Sequence, residues 1–164
     1  MLHLPEALPL EGVNKLKDLI GSQRTCMFSE TQRDGTLSAK PMTVLDVDEQ
    51  GALWFMTSLQ YLHHADWPAN ASFLNEGDNT YVSVAGTAHA VQDRQRIHEL
   101  WSLMCKPWFP QGPDSSDIVL VKLVPDQIEY WDGPSNAVTR GASMLASVIA
   151  SKPVGMGEHG FIKT

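Results

Sequence analysis

The sequence predicts a mainly β domain (β+α), in which antiparallel strands close into a barrel with helices at its periphery. Three observations carry this reading. Short apolar runs of alternating pattern recur at hairpin spacing. Turn signals such as Asp34-Gly35 and "DEQG" separate them, and helical periodicity is confined to the segments in between. With 164 residues, 43% hydrophobic and 19% charged, the chain suits one domain with a sizeable core.

The elements follow in order. "LEGVNKLKDLIG" sets Val13, Leu16, Leu19 and Ile20 on one helical face, and Gly21 is a natural stop. "RTCMFSET" is the first strand, and Asp34-Gly35 turns it into a long second strand, "TLSAKPMTVLDVD". "ALWFMT" is the third. Leu59 to Asn70 reads as a short helix interrupted near Pro68, followed by a short strand, "ASFLN". "TYVSVAGTAHAVQD" is a strand whose Gly86 marks a bulge or a close backbone approach.

"DRQRIHELWSLMCK" predicts a helix capped by Asp93, with Ile97, Leu100, Trp101 and Met104 as its apolar stripe and Pro107 as its stop. "PWFPQGPDSSD" is a loop. "IVLVKLVPDQIEYWDG" predicts two strands broken at Pro125-Asp126, and a last helix spans about 136–150. Residues 1–150 thus form the expected domain, with 151–164 as a mobile tail.

Composition excludes several classes. A net charge of −7 without a basic cluster argues against nucleic-acid binding. The N-terminus lacks the pattern of a leader, and no apolar run approaches the about 18 residues of a membrane span, so a cytoplasmic protein is expected. Cys26 and Cys105 sit in apolar segments. Buried free thiols are the plainer expectation, a disulfide the alternative. GxGxxG, P-loop and GxSxG motifs are absent. Adjacent His63 and His64 lack a metal-ligand spacing, so no metal site is expected; contact with solvent or a ligand phosphate suits them better. His98 reads as a surface residue and His89 as a structural one with a satisfied ring.

The second strand is the unusual one. Period two puts Leu37, Ala39, Thr43, Leu45 and Val47 on one face and Ser38, Lys40, Met42 and Val44 on the other. A lysine next to a proline is foreign to a central strand. A solvent-facing lysine explains it; so does a surface that takes an aromatic ring on its apolar groups while the cation reaches an anion. Thr57 and Ser58, hydroxyls at a strand end, and Trp131, a strand-end indole, have similar character.

At these residues the chain resembles a family. "DGTLSAKPM", "ALWFMT", "YVSVAGTAHAVQD", "LWSLMCKPWFPQGPDSSDIVLVKLVP" and "IEYWDGPSN" are similar, in order, to the general-stress-protein-26-like branch of the pyridoxamine 5′-phosphate oxidase-related proteins. The resemblance covers residues 12 to 150 and implies an FMN-binding split barrel. It further implies a homodimer with two flavin sites at the subunit interface, FMN as cofactor and FAD as the alternative. Lys40, Pro41 and Met42 would run along the flavin, with Lys40 near its phosphate or ring edge. Phe55, Met56, Thr57 and Ser58 would supply backbone and hydroxyl contacts, with His63 or His64 near the phosphate. Trp131 and Trp108 would approach from the partner subunit.

Two departures stand out. Relatives usually carry arginine where this chain has Lys40, and lysine lacks the planar bidentate fork. They also follow the third strand with a Ser-x-Lys segment whose lysine grips the phosphate, whereas "TSLQYLHHADWPAN" has no lysine or arginine. The resemblance thus implies a flavin-dependent oxidoreductase that is not a true pyridoxamine-phosphate oxidase. Its alternatives are a non-catalytic flavin-binding stress or redox protein, and a dimeric barrel that has lost its flavin and only binds partners. No acid or base stands out, so no catalytic residue is assigned.

Overall fold

The computed structural model describes residues 8–133, 137–151 and 157–162. Helix α1 (Leu10–Ile20) buries Val13, Leu16, Leu19 and Ile20, the predicted face, and ends at Gly21, whose φ of 54° suits glycine. Strand β1 (Thr25–Thr31) turns at Asp34-Gly35 into β2 (Leu37–Thr43). Gly35 takes the positive φ that the turn requires, and Asp34 Oδ1 accepts from the Thr36 amide and hydroxyl.

The expected long second strand is divided. The Val44 amide donates to Arg24 on the β1 side, and the next amide, Leu45, donates to Trp54. The chain therefore changes partners between β2 and β3 (Asp46–Val47), which pairs with β4 (Leu53–Ser58). The predicted short helix is reduced to one 3₁₀ turn, Leu59–Tyr61. From Asp66 the chain is already extended as β5 (Asp66–Asn75), which contains both Pro68 and the expected "ASFLN" strand. Proline is tolerated there because β1 pairs with β5 only from Ala69 onward, so Pro68 has a strand neighbour on one side alone.

Strand β6 (Thr80–Val91) pairs with β7 (Ile118–Asp132), which is continuous where two strands were expected. The register shifts between Ala85 and Gly86, so that Asp126 is the extra residue of a bulge on β7. A Cβ at Gly86 would lie 2.0 Å from the Val124 carbonyl oxygen, which explains the glycine. Helix α2 (Arg94–Leu100) starts as predicted, with Asp93 Oδ1 accepting from the Arg96 amide, but stops before Trp101. A 3₁₀ turn, Leu103–Cys105, follows and leaves Met104 exposed, outside the expected stripe. The last helix is α3 (Ala137–Ala150).

The tail corrects a further expectation. Residues Glu158–Ile162 form β8, paired with β7 beyond the end of β4. Ile162 enters the core, and Gly12 of α1 makes room for it, since a Cβ there would meet Ile162 at 2.9 Å. The strand order is β2-β1-β5-β6-β7-β4-β3, all antiparallel, with β8 on the far half of β7. The sheet curls far enough for Phe28 of β1 and Phe55 of β4 to meet edge to face at 5.2 Å. The main core fills the inside of this curl. A second cluster, around Trp54, Ile97, Phe109 and Leu120, lies where α2 and the 101–117 segment cover the other face of β4 and β7.

Candidate functional site

The curl leaves a shallow cleft, open to solvent, between β1, β2, β4 and the segment after β4. Phe28 and Val121 belong to its apolar lining, and Lys40 and Met42 come to it from β2. Alternation explains this: Ser38, Lys40 and Met42 are half-buried on the inner face of β2, while Leu37, Ala39, Pro41 and Thr43 face outward. Thr57 enters from the end of β4, where the inner-face pattern Leu53, Phe55, Thr57 passes from apolar to polar. Tyr61, His63 and His64 line the cleft from the following segment. Five of the residues singled out in the sequence, Lys40, Met42, Thr57, His63 and His64, therefore share one cleft.

The other six lie elsewhere in the chain. Phe55 is fully buried in the core. Met56 packs on the second cluster beneath α2, and Ser58 donates to Asp117 Oδ2 at 3.0 Å. With the Ser115 hydroxyl, and secondarily that of Ser58, holding it, the Asp117 carboxylate stays below the ordinary aspartate range. Pro41 faces outward on β2. Trp108 is exposed in the 101–117 segment. Trp131 lies on β7, stacked on His159 of β8 at 5.1 Å with the rings 2° from parallel.

Three residues of the site were not anticipated. Glu30, on β1, places Oε1 3.1 Å from Lys40 Nζ, with its side chain only 10% exposed against 35% for the lysine. Period two puts Cys26, Phe28 and Glu30 on the same face, so a carboxylate ending an apolar row was the available signal. Arg33, in the hairpin turn, donates to the His63 carbonyl at 3.0 Å and ties that turn to the histidine segment. Trp67 lines the cleft, is buried, and its indole N–H has no acceptor among the described residues. Its alternation with Ala69, Ala71 and Phe73 was hidden by the helical reading of 59–70.

Comparison with known proteins agrees with this architecture. A curated relative, Protein bli-3 of Neurospora crassa, is 25% identical over 166 residues, covering 92% of this chain and 79% of the relative. Among solved structures, a candidate general stress protein 26 from Jannaschia superposes with a TM-score of 0.73 at 21% identity, covering 94% of this chain and 99% of the other. A general stress FMN/FAD binding protein from Xanthomonas citri does so with a TM-score of 0.64 at 23% identity, covering 77% and 92%. The fold is the split barrel of these proteins. The profile of the family described as pyridoxamine 5′-phosphate oxidase like matches residues 11–154, and the chain, cleft included, belongs to that family.

Proposed function

We propose that the chain binds a flavin in the cleft between β1, β2 and β4, as FMN or, alternatively, FAD, and works as a flavin-dependent oxidoreductase. The observation that carries this is convergence: Lys40, Thr57, His63 and Trp67 come from four separate segments to one cleft. The site also passes a test of fit. A buried indole N–H without an acceptor costs about 1–3 kcal/mol, and a bound polar ring would relieve that cost. Met42 and Phe28 offer apolar contact to a planar ring, and Lys40, Thr57 and the histidines offer donors.

The bound flavin would supply hydride or electron transfer. The chain's own residues hold and orient it. Lys40 and Trp67 donate hydrogen bonds, Thr57 donates from the end of β4, and Tyr61 shields the rim from water. Arg33 fixes the His63 segment against the hairpin turn. The name of the Xanthomonas relative, an FMN/FAD binding protein, supports the ligand class. The reading includes a cytoplasmic homodimer, with Trp131 and Trp108 approaching the flavin of the partner subunit.

A second reading, a barrel that no longer holds flavin and only binds partners, is favoured by the Lys40–Glu30 pair, because that pair occupies the cation expected to meet a phosphate. A visible absorption spectrum of the purified protein, followed by titration of apo-protein with FMN and FAD, separates the two. Micromolar or tighter binding is expected. A protein that ignores both flavins would overturn the proposal and leave the second reading.

A further inference from the structure

Two apolar patches lie uncovered at opposite ends of β7. One is on α3, which joins β7 to β8 and so is inserted between the two strands of a hairpin. Met144, Leu145, Val148 and Ile149 follow the i, i+1, i+4, i+5 spacing of a single helical stripe, and they are between 64% and 77% exposed. None of the described side chains of α3 is buried. The other patch is Leu103 and Met104, 81% and 78% exposed, in the segment that leads into the start of β7. Six large apolar side chains in two groups are more than a scatter of single surface residues.

The chemistry of α3 narrows what covers it. Its one charged residue is Arg140, and at 14 residues it is too short to span a bilayer. A helix lying in a bilayer surface needs a cationic polar face and gains from anionic lipid, whereas this chain carries a net charge of −7. A second copy of the chain offers the matching apolar surface. With α3 laid against its own equivalent, Leu103 and Met104 would stay in water. A stripe of four side chains also supplies only a fraction of the about 800 Å² per partner that a stable interface needs.

The length of β7 supplies the geometry. Its 15 residues put the attachment points of the two patches on the order of 45 Å apart. A two-fold axis crossing β7 near its middle reverses the strand, and so brings the end of β7 in one copy beside its start in the other. Such an axis repeats each contact, covering both patches of both copies at once.

We infer that α3 of one copy docks on Leu103 and Met104 of a second copy, and the reverse, in a two-fold dimer. The arrangement rests on the homodimer of the proposed function and is independent of flavin.

The test is sedimentation velocity of the full chain at micromolar concentration, where wild type should run as a dimer. Val148→Glu and Met104→Lys each put a charge into the apolar contact and should weaken the dimer at least about hundredfold. Both positions are exposed in the single copy, so far-UV circular dichroism should stay that of wild type. The double variant V148E/M104K sets opposite charges against each other across the interface and should regain most of the association. Val148→Ala, a mild change on an exposed helix, should weaken the dimer about threefold to tenfold. A dimer indifferent to both single charges, or one that the double variant does not restore, would overturn the docking and leave the homodimer standing. Dissociation by Val148→Glu but not by Met104→Lys would set α3 against α3 and overturn it as well. A monomeric wild type would overturn both the docking and the homodimer, and its co-sedimentation with phosphatidylcholine–phosphatidylglycerol vesicles would assign α3 to a bilayer instead.

Discussion

Strands β2 and β7 carry the same chemical oddity, a proline inside a ladder, and use it in opposite settings. In β7 the proline adjoins a bulge in a strand flanked by β6 on one side and by β4 and then β8 on the other, with Ile118, Val119, Leu120, Val121 and Leu123 all buried. In β2, none of the seven residues is buried, and among the described residues β2 pairs only with β1. Strand β7 is organised by packing and β2 by what lies in the cleft. A strand read for its core contribution looks regular in the first case and inexplicable in the second.

That contrast can be broken at either end. The largest effect is expected from Phe55→Ala, at the meeting of the two curled ends of the sheet. Emptying this fully buried site should cost about 4 kcal/mol, read as a lowered urea midpoint. Gly86→Ala comes next. Its new Cβ meets the Val124 backbone oxygen at 2.0 Å, and the forced shift of the β6–β7 ladder should cost about 3 kcal/mol in the same measurement. An unchanged midpoint would show that the bulge yields freely.

Lys40→Ala should behave differently, weakening flavin binding at least about tenfold. Its stability cost should be only about 1 kcal/mol, from leaving Glu30 without its partner. Adding Glu30→Gln should restore the stability without restoring the affinity. A double variant that regained affinity would remove Lys40 from the ligand's neighbourhood.

The smallest response is expected from Cys26. Burial pushes its thiol up to about 12, against 9.0 for a free one, with backbone hydrogen bonds only partly opposing. The folded thiol thus keeps its proton where the unfolded one would lose it. Its contribution to stability is complete below pH 9 and is lost as pH rises towards about 12. At pH 8 iodoacetamide should label neither Cys26 nor Cys105, both buried and free, faster than the protein unfolds. Rapid labelling of Cys26 would show that β1 opens locally and would blur the distinction between framework and site.

Much of the framework was legible in the sequence because it obeys periodicity. The α1 face, the Asp34-Gly35 hairpin, the Asp93 cap and the special position of Gly86 all follow from rules that act within a few residues. Features decided by distant partners were not. The division between β2 and β3 depends on Arg24 and Trp54, neither of which is near it in a local pattern. The course of 59–75 depends on β1 and β6 lying alongside, which overrode an apparent helical signal. Strand β8 depends on β7 outrunning β4, so the glycine-rich composition around it pointed to a mobile tail. At the site, Lys40, Met42 and Thr57 were readable from alternation. Glu30 and Trp67 were missed because their significance lies across strands, in what stands beside them.

The outward side of β2 has a consequence for the protein in concentrated solution. Its backbone edge is unclaimed among the described residues, and an unclaimed edge is a template on which foreign strands can assemble. Pro41 deletes one amide from that template. The proline that makes β2 look unfit for a sheet interior thus also makes it a poor seed for aggregation.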